Sequence, residues 1–134
     1  MLSKKEIEQF ENKRFEIDLQ SNRMGFRLKS DPIFHTITPE LLSTAVTRGT
    51  LQLTPAGQLI VLMADHQTTG GYPRIGTVIG ADMASLAQMP IGSSFGIKWI
   101  EIQEAERLLL QQETNLQQLE NACKFRLQEY FSEK

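Results

Sequence analysis

A short apolar stretch that runs directly into a dense polar loop constrains the fold of this chain more than any other feature. Residues 59–64 read Leu-Ile-Val-Leu-Met-Ala, which predicts a buried strand. Residues 65–73 read Asp-His-Gln-Thr-Thr-Gly-Gly-Tyr-Pro and place a carboxylate, an imidazole, an amide and two hydroxyls beside a glycine pair. Burying so many polar groups is costly unless something pairs with them. This loop is therefore the first candidate for a ligand site.

Short strands and turns dominate the first hundred residues. Ser3 and Glu6 have the spacing of a capping box and predict a first helix over residues 3–12, and Asp82 is predicted to cap another over residues 82–89. A brief helical turn is expected over residues 38–46. Strands are predicted at residues 15–19, 26–28, 50–53, 59–64, 75–79 and 95–102. The fold class is α+β, rich in sheet.

The last part of the chain predicts one long helix. Ile102, Leu109, Leu116, Cys123 and Tyr130 recur every seven residues and form an apolar stripe, on which Cys123 is expected to be packed. The predicted division is a β-rich domain at residues 1–101 and an amphipathic helix at residues 102–131. Such a helix either lies along its own domain or pairs with a partner or a second copy.

Composition excludes several classes of function. The chain has 134 residues, a net charge of −2 and no basic stripe, which argues against nucleic acid as a partner. No apolar run approaches the length of a membrane span, and no signal peptide is expected. A single cysteine excludes an internal disulfide and fits a reducing compartment, so the cytoplasm is the expected location.

The polar loop has a functional and a structural interpretation. As a binding loop, it would use backbone N–H groups freed by Gly70 and Gly71, with donors from Thr68 and Thr69. Asp65 could then orient a water or accept a proton if burial raised its pKa. As a tight turn, it would use the same side chains to satisfy local backbone groups. Spacing alone does not choose between the two.

Two arginines and two histidines also have both a functional and a structural interpretation. Arg23, in the turn at residues 21–25, offers a planar fork for a carboxylate or phosphate, although a solvated turn arginine is the commoner outcome. Arg74 directly follows the polar loop, which favours a role there. His35 and His66 lack partners at ligand spacing, so no metal site is predicted.

Several motifs, taken in order, resemble one known family. They are Ser-Asn-Arg-Met-Gly-Phe-Arg-Leu at residues 21–28, Gly-Thr-Leu-Gln-Leu-Thr-Pro-Ala-Gly-Gln at 49–58, the run and loop at 60–75, and Thr-Val-Ile-Gly-Ala-Asp at 77–82. Over roughly residues 15–108 the chain resembles the allophanate hydrolase subunit 2 family, also called the biotin-dependent carboxyltransferase family, whose bacterial members include the C subunit of ATP-dependent 5-oxoprolinase. Gly80, where many members have serine, is a mild departure.

The resemblance implies a fold and a set of partners. The family fold is a cyclophilin-like β-barrel in two related halves, and the matched motifs belong to the C-terminal half. The implied protein is therefore half of a family member, expected to be inactive without the missing N-terminal half and a B-subunit-like partner of the allophanate hydrolase subunit 1 type. The implied reaction opens 5-oxo-L-proline to glutamate with ATP; biotin is implied only for a urea carboxylase relative.

The resemblance also implies candidate site residues. A catalytic role is hypothesised for Asp65 and Arg23, and a substrate- or nucleotide-binding role for the other matched polar and glycine positions. Those positions are Asn22, Gln67, Thr68, Thr69, Gly70, Gly71 and Tyr72, together with Arg74. The alternative function is a non-enzymatic regulatory module, of the kind found in kinase-inhibitor complexes, that assembles through its C-terminal helix with a partner or as a homo-oligomer.

Overall fold

The computed structural model describes residues 3–31, 33 and 43–132, and the chain divides into two compact units, Met1–Trp99 and Ile100–Lys134. Its class is α+β, as predicted, with an antiparallel sheet in the first unit and a long helix in the second. In chain order the described elements are α1 (Lys4–Glu11), β1 (Phe15–Ile17), β2 (Gly25–Lys29), β3 (Thr44–Ala45), β4 (Thr50–Leu53), β5 (Leu59–Leu62), β6 (Thr69–Gly70), β7 (Arg74–Thr77), α2 (Gly80–Ala87), β8 (Ser94–Phe95) and α3 (Ile102–Ser132).

The main sheet has the strand order β7-β4-β5-β2-β1-β8, and every neighbouring pair is antiparallel. A tight turn joins β4 to β5, and Gly57 in that turn has a φ of +77°. A Cβ there would lie 2.9 Å from the backbone of Ile33, so both the conformation and the space require glycine. A separate two-stranded ribbon pairs β3 with β6.

One face of the sheet carries the core. Because side chains alternate along a strand, every second residue of β2, β4 and β5 points to this face. Phe10 of α1 joins it and meets the ring of Trp99 edge to face, with centroids 6.1 Å apart. The core residues contributed by the sheet and by α2 are Phe15, Ile17, Leu28, Leu51, Leu53, Leu59, Val61, Met83 and Leu86.

Predictions from local sequence patterns are confirmed for elements whose interacting residues are close together in the chain. Ser3 caps α1: its hydroxyl accepts from the backbone N–H of Glu6, and its own N–H donates to the Glu6 carboxylate at 2.6 Å. The predicted strand at residues 50–53 is β4, and the apolar run forms β5 over its first four residues.

Four strand predictions were too long at their C-terminal ends: those at residues 15–19, 59–64, 75–79 and 95–102 end at Ile17, Leu62, Thr77 and Phe95. Leu19 lies beyond β1 in a turn closed by the N–H of Ser21 on the carbonyl of Asp18, and it is exposed. The strand predicted at residues 95–102 is limited to β8. Beyond it, Ile97 and Trp99 pack against the core, and the N–H of Trp99 donates to the Glu11 carboxylate. Packing against the core therefore replaces ladder pairing there.

Two helix predictions also needed correction. The helical turn predicted at residues 38–46 falls outside the described residues as far as residue 42, but Thr44 and Ala45 form strand β3. The N-cap of α2 is Ile79, which makes no side-chain cap hydrogen bond, so the prediction that Asp82 is the cap was wrong. Asp82 lies in the first turn, where a negative charge interacts favourably with the helix dipole.

Helix α3 covers 31 residues, or roughly 46 Å at 1.5 Å per residue. None of its described residues is buried. Leu109 and Leu116 of the predicted stripe are exposed, and so is Cys123, which contradicts the prediction that its thiol is packed. No helix in the described part of the chain is both long and apolar enough to cross a membrane.

Candidate functional site

The second face of the main sheet lines a cleft. Arg27 of β2 and Gln52 of β4 are both paired with Ile60 of β5, one on each side. Residues opposite one another on paired strands share a face, so these three side chains lie on the same side of the sheet. It is the side opposite the core face, since their neighbours Leu28, Leu51 and Val61 are core residues.

The cleft above this face has a volume of about 240 Å³. Ligand sites for drug-sized molecules occupy roughly 300–1,000 Å³, so this cleft suits a compound of few heavy atoms. Its floor, called here the cleft face, consists of Gly25, Arg27, Gln52, Ile60 and Leu62. Its rim comes from the turn after β1 and from the polar loop, through Asn22, Met24, Gln67 and Tyr72.

Gln52 is the least expected residue of the cleft face. It is 2% exposed, and its Nε2 is buried without a hydrogen-bond partner among the residues the structure describes. Gly70 creates the space for this amide, because a Cβ at Gly70 would overlap Nε2. Gly70 itself is paired with Thr44 in the β3–β6 ribbon. Gly70 is therefore the point at which the polar loop packs against Gln52.

The turn at residues 21–25 is held by Asn22. Its side-chain oxygen accepts hydrogen bonds from the N–H groups of Met24 and Gly25, at 2.9 and 3.3 Å, and its N–H donates to the carbonyl of Gly25. This is an Asx-type turn in which the side chain shapes the backbone. Asn22 thus serves the turn while it also lines the cleft.

Arg23 and Asp65 pair with each other. Arg23 Nε lies 2.9 Å from Asp65 Oδ2, and the two side chains are 83% and 53% exposed. Their backbones are also joined, since the N–H of Asp65 donates to the carbonyl of Arg23. The burial on which a proton-accepting role for Asp65 depended is not observed. Neither residue is among those that line the cleft in the described part of the chain.

The rest of the polar loop is joined to the β3–β6 ribbon. The carbonyl of Thr68 accepts from the N–H of Val46, and Thr69 is paired with Ala45. Arg74 Nη1 donates to the carbonyl of Ala45 at 3.2 Å, so this guanidinium braces the ribbon.

Charge near the cleft is set by the neighbours of Arg27. The carboxylate of Asp18 accepts from the N–H of Gln20 at 2.7 Å, and it lies 3.5 Å from Lys29 Nζ. The Gln20 hydrogen bond, followed by the positive charges of Lys29 and Arg27, holds the pKa of Asp18 below its ordinary value. No group of three His, Cys, Asp or Glu side chains within the described ranges is placed to hold a metal.

A family model described as "Carboxyltransferase domain, subdomain A and B" matches residues 1–99. The chain belongs to this carboxyltransferase domain family. A protein named as the C subunit of 5-oxoprolinase, from Haemophilus influenzae, is 44% identical over 108 residues, which is 79% of this chain and 35% of the relative. The protein of the same name from Escherichia coli is 43% identical over 105 residues, with 78% and 34% covered. The chain thus spans about a third of the length of these relatives.

In two solved structures of larger proteins, one part has the same fold as this chain. Kluyveromyces lactis urea carboxylase superposes with a TM-score of 0.66 at 19% identity, covering 84% of this chain and 11% of that one. The urea amidolyase of the same yeast gives a TM-score of 0.68 at 19% identity, covering 84% and 7%. At such identity the likeness shows the fold of this carboxyltransferase-domain chain and nothing further.

The structure brings together only some of the residues that the sequence singled out. Asn22, Gln67 and Tyr72 line the cleft, and Gly70 lies behind it. Thr68, Thr69 and Gly71 belong to the loop that forms the ribbon or follows it, and Thr68 and Thr69 are exposed. Arg23 and Asp65 form a separate exposed pair, and Arg74 contacts the ribbon.

Two floor residues of the carboxyltransferase domain were missed from sequence. Gln52 stands between Leu51 and Leu53 in a fully buried strand, and that lone amide in an apolar run was a readable signal. The signal for Arg27 was weaker, because a polar residue between Phe26 and Leu28 is also the pattern of an ordinary solvent-facing strand position. Only the strand register shows that both lie beside Ile60.

Proposed function

We propose that this chain is part of a component of the C-subunit type in an ATP-dependent 5-oxoprolinase and that its cleft holds the cyclic amide. The observation that carries the proposal is the 44% identity, over 79% of the chain, to a protein named as the C subunit of 5-oxoprolinase. The chain would supply the C-terminal half of a cyclophilin-like barrel. The expected compartment is the cytoplasm, where ATP is available.

The chemistry of the cleft suits such a substrate. Opening a lactam requires a stable amide carbonyl to be polarised, and hydrogen-bond donors aimed at its oxygen stabilise the charge that develops there. Gln67 and Tyr72 offer donors at the rim, beside the apolar side chains of Ile60 and Leu62, and the amide of Gln52 lies buried in the floor. A urea-type substrate, carboxylated through biotin, would present a similar planar carbonyl, so the substrate must be decided by assay.

The proposed activity involves more chain than these 134 residues. Because the chain spans about a third of its relatives, the proposal includes the missing N-terminal half and a B-subunit-like partner, with ATP bound in the assembled complex. The direct test is coexpression of this chain with both, followed by measurement of ATP-dependent glutamate formation from 5-oxo-L-proline. The absence of both complex and turnover would contradict the enzymatic proposal.

The predicted catalytic pair can be tested in that assembly. Arg23 stands between the rim residues Asn22 and Met24, and we propose that its pair with Asp65 meets the substrate at the edge of the cleft. Arg23→Ala and Asp65→Asn are therefore each expected to abolish turnover while changing the melting temperature by only a few degrees, since an exposed ion pair contributes about 0–1 kcal/mol. Arg14→Ala is a matched control, because it removes another exposed arginine charge from the same unit. Full turnover in both Arg23→Ala and Asp65→Asn would leave the pair a purely structural role.

One observation favours a second candidate, the regulatory or interaction module. Leu110, Leu116 and Leu119 of α3 are each at least 60% exposed, which is unusual for so many leucines on one helix. Sedimentation of the chain would detect self-assembly, and Leu109→Ser with Leu116→Ser is expected to abolish it. Gln117→Ser with Gln118→Ser costs the helix a similar propensity and serves as the control. A monomer at all concentrations would argue against a homo-oligomeric module.

A further inference from the structure

The cleft holds a buried amide that the proposed catalytic pair does not explain. Gln52 is 2% exposed, and its Nε2 has no hydrogen-bond partner among the described residues. An unsatisfied buried donor is costly, and native proteins retain such groups mainly where they have a task. Gly70 leaves room for this amide, since a Cβ at that position would overlap Nε2. Gln52 also forms part of the cleft wall.

We infer that Gln52 and Arg27 recognise two different groups of one small ligand. The amide of Gln52, which packs against Gly70, would turn to donate its Nε2–H to the carbonyl of a planar amide or lactam, and Arg27 binds a carboxylate on the same molecule. This inference rests on the proposed function for its choice of probe, and it assigns specificity to residues other than Arg23 and Asp65.

The strand register sets the separation of the two groups. Gln52 and Arg27 are both opposite Ile60, on the two strands that flank β5. Two strand spacings put their Cα atoms about 10 Å apart. The long side chains of glutamine and arginine can converge across that distance on a small ring and its substituents.

The floor between them is apolar and fits a small ring. Ile60 stands midway, and its Cγ2 lies 3.0 Å from where a Cβ of Gly25 would be, so this glycine lets the isoleucine side chain lie across β2. Leu62 extends the apolar floor. A donor on one side, a cation on the other and hydrocarbon between them complement a ring bearing a carbonyl and a carboxylate. The cleft volume of about 240 Å³ is enough for a ligand of that size.

The charge of Arg27 has a matched control on its own strand. Lys29 lies two residues further along β2 and points to the same side, but it pairs with Asp18 at 3.5 Å and does not line the cleft. Arg27→Ala and Lys29→Ala therefore remove the same charge from the same strand face. Only Arg27→Ala should affect a ligand in the cleft.

The test measures binding of three compounds to the full 134-residue chain by nuclear magnetic resonance. The compounds are 5-oxo-L-proline, 2-pyrrolidinone, which lacks the carboxylate, and cyclopentanecarboxylate, which lacks the lactam group. We expect 5-oxo-L-proline to bind best, with each analogue about tenfold weaker, the loss that corresponds to one good charge-assisted or amide hydrogen bond. Arg27→Ala should weaken 5-oxo-L-proline about tenfold and leave 2-pyrrolidinone unchanged. Gln52→Leu should weaken 5-oxo-L-proline binding similarly and leave cyclopentanecarboxylate binding unchanged.

Stability provides a readout that separates recognition from structure. Replacing an unsatisfied buried amide by an apolar side chain of similar size removes a desolvation cost, so Gln52→Leu should raise the melting temperature while it weakens binding. A lower melting temperature in Gln52→Leu, or equal effects of Arg27→Ala and Lys29→Ala, would overturn the inference. So would the absence of any ligand-induced shift at cleft residues.

The assembled complex distinguishes failure of this inference from failure of the proposed function. Turnover of 5-oxo-L-proline with an unchanged KM in Gln52→Leu and Arg27→Ala would refute the division of recognition and leave the activity standing. Selective binding by the chain, altered as described in both variants, without turnover by any assembly would refute the activity and leave the recognition standing.

Discussion

Gly70 shows how one missing Cβ shapes a site at the residue scale. In the sequence it stands in a Gly-Gly pair, which suggests backbone donors freed for a ligand. In the structure it is paired with Thr44, and the space of its absent side chain is occupied by the amide of Gln52. The glycine thus acts through packing against a residue eighteen positions earlier, a contact that no local pattern could have indicated.

Gly70→Ala is expected to destabilise the chain by about 1 kcal/mol, the low end of overpacking costs, because the new methyl group would displace the tip of the flexible Gln52 side chain. Urea denaturation measures the change. Gly96→Ala is the control, since a Cβ there meets nothing within 4 Å. In a double-mutant cycle, Gln52→Ala should remove most of the penalty of Gly70→Ala, and strictly additive effects would show that the two residues do not press on one another.

Asp18 makes stability depend on pH in a defined direction. Its pKa in the folded chain is lowered, first by the hydrogen bond from Gln20 and then by Lys29 and Arg27, and the unfolded chain retains the ordinary value. The stabilisation it supplies is therefore present above the unfolded pKa, at about 4, and is lost as the pH falls through the folded pKa. Melting temperatures of Asp18→Asn and the parent chain should differ at neutral pH and converge in acid. A constant difference across the acid range would contradict this assignment.

The elements that sequence predicted well are those whose partners are close in the chain. The capping box of α1 involves residues 3 and 6, and β4 and β5 form one hairpin. The β3–β6 ribbon was not predicted, because Thr44 and Ala45 pair with Gly70 and Thr69, which lie far along the chain. Likewise, the chain after Phe95 has a strand-like pattern, yet its apolar side chains pack against the core rather than extend the ladder.

The ribbon is also where Arg74 is expected to have its effect. A two-stranded ribbon is marginally stable by itself, and the hydrogen bond from Arg74 Nη1 to the carbonyl of Ala45 is a long-range support. Arg74→Ala should speed hydrogen exchange at the amide of Val46, which donates to Thr68, by about five- to tenfold, the effect of roughly 1 kcal/mol. Amides of β5 should be unaffected. Unchanged exchange at Val46 would leave Arg74 without a bracing role.

At the scale of the whole molecule, sequence motifs identified the family and the class of fold, while the cleft required the assembled sheet. Asn22, Gln67 and Tyr72 were candidates because they belong to the motifs that resemble the family, and they lie at the rim of the cleft. Arg27 and Gln52 were not, because their common neighbour Ile60 is apparent only from pairing across three strands. A site built on a sheet face is distributed over the sequence, and a single loop motif reveals only its rim.

The two units differ in what stabilises them, and they should therefore unfold differently. The first unit buries an apolar core, whereas α3 has no buried residue among those described and carries exposed ion pairs such as Lys124 with Glu120. Helices without packed faces are marginal in water. In urea, α3 amides should lose protection well before those of β5, as measured by hydrogen exchange at increasing denaturant. Raising the protein concentration should delay the loss in α3 only if chains self-associate through it. One coincident transition at low concentration, with equal protection in both units, would show that α3 is stabilised as strongly as the sheet.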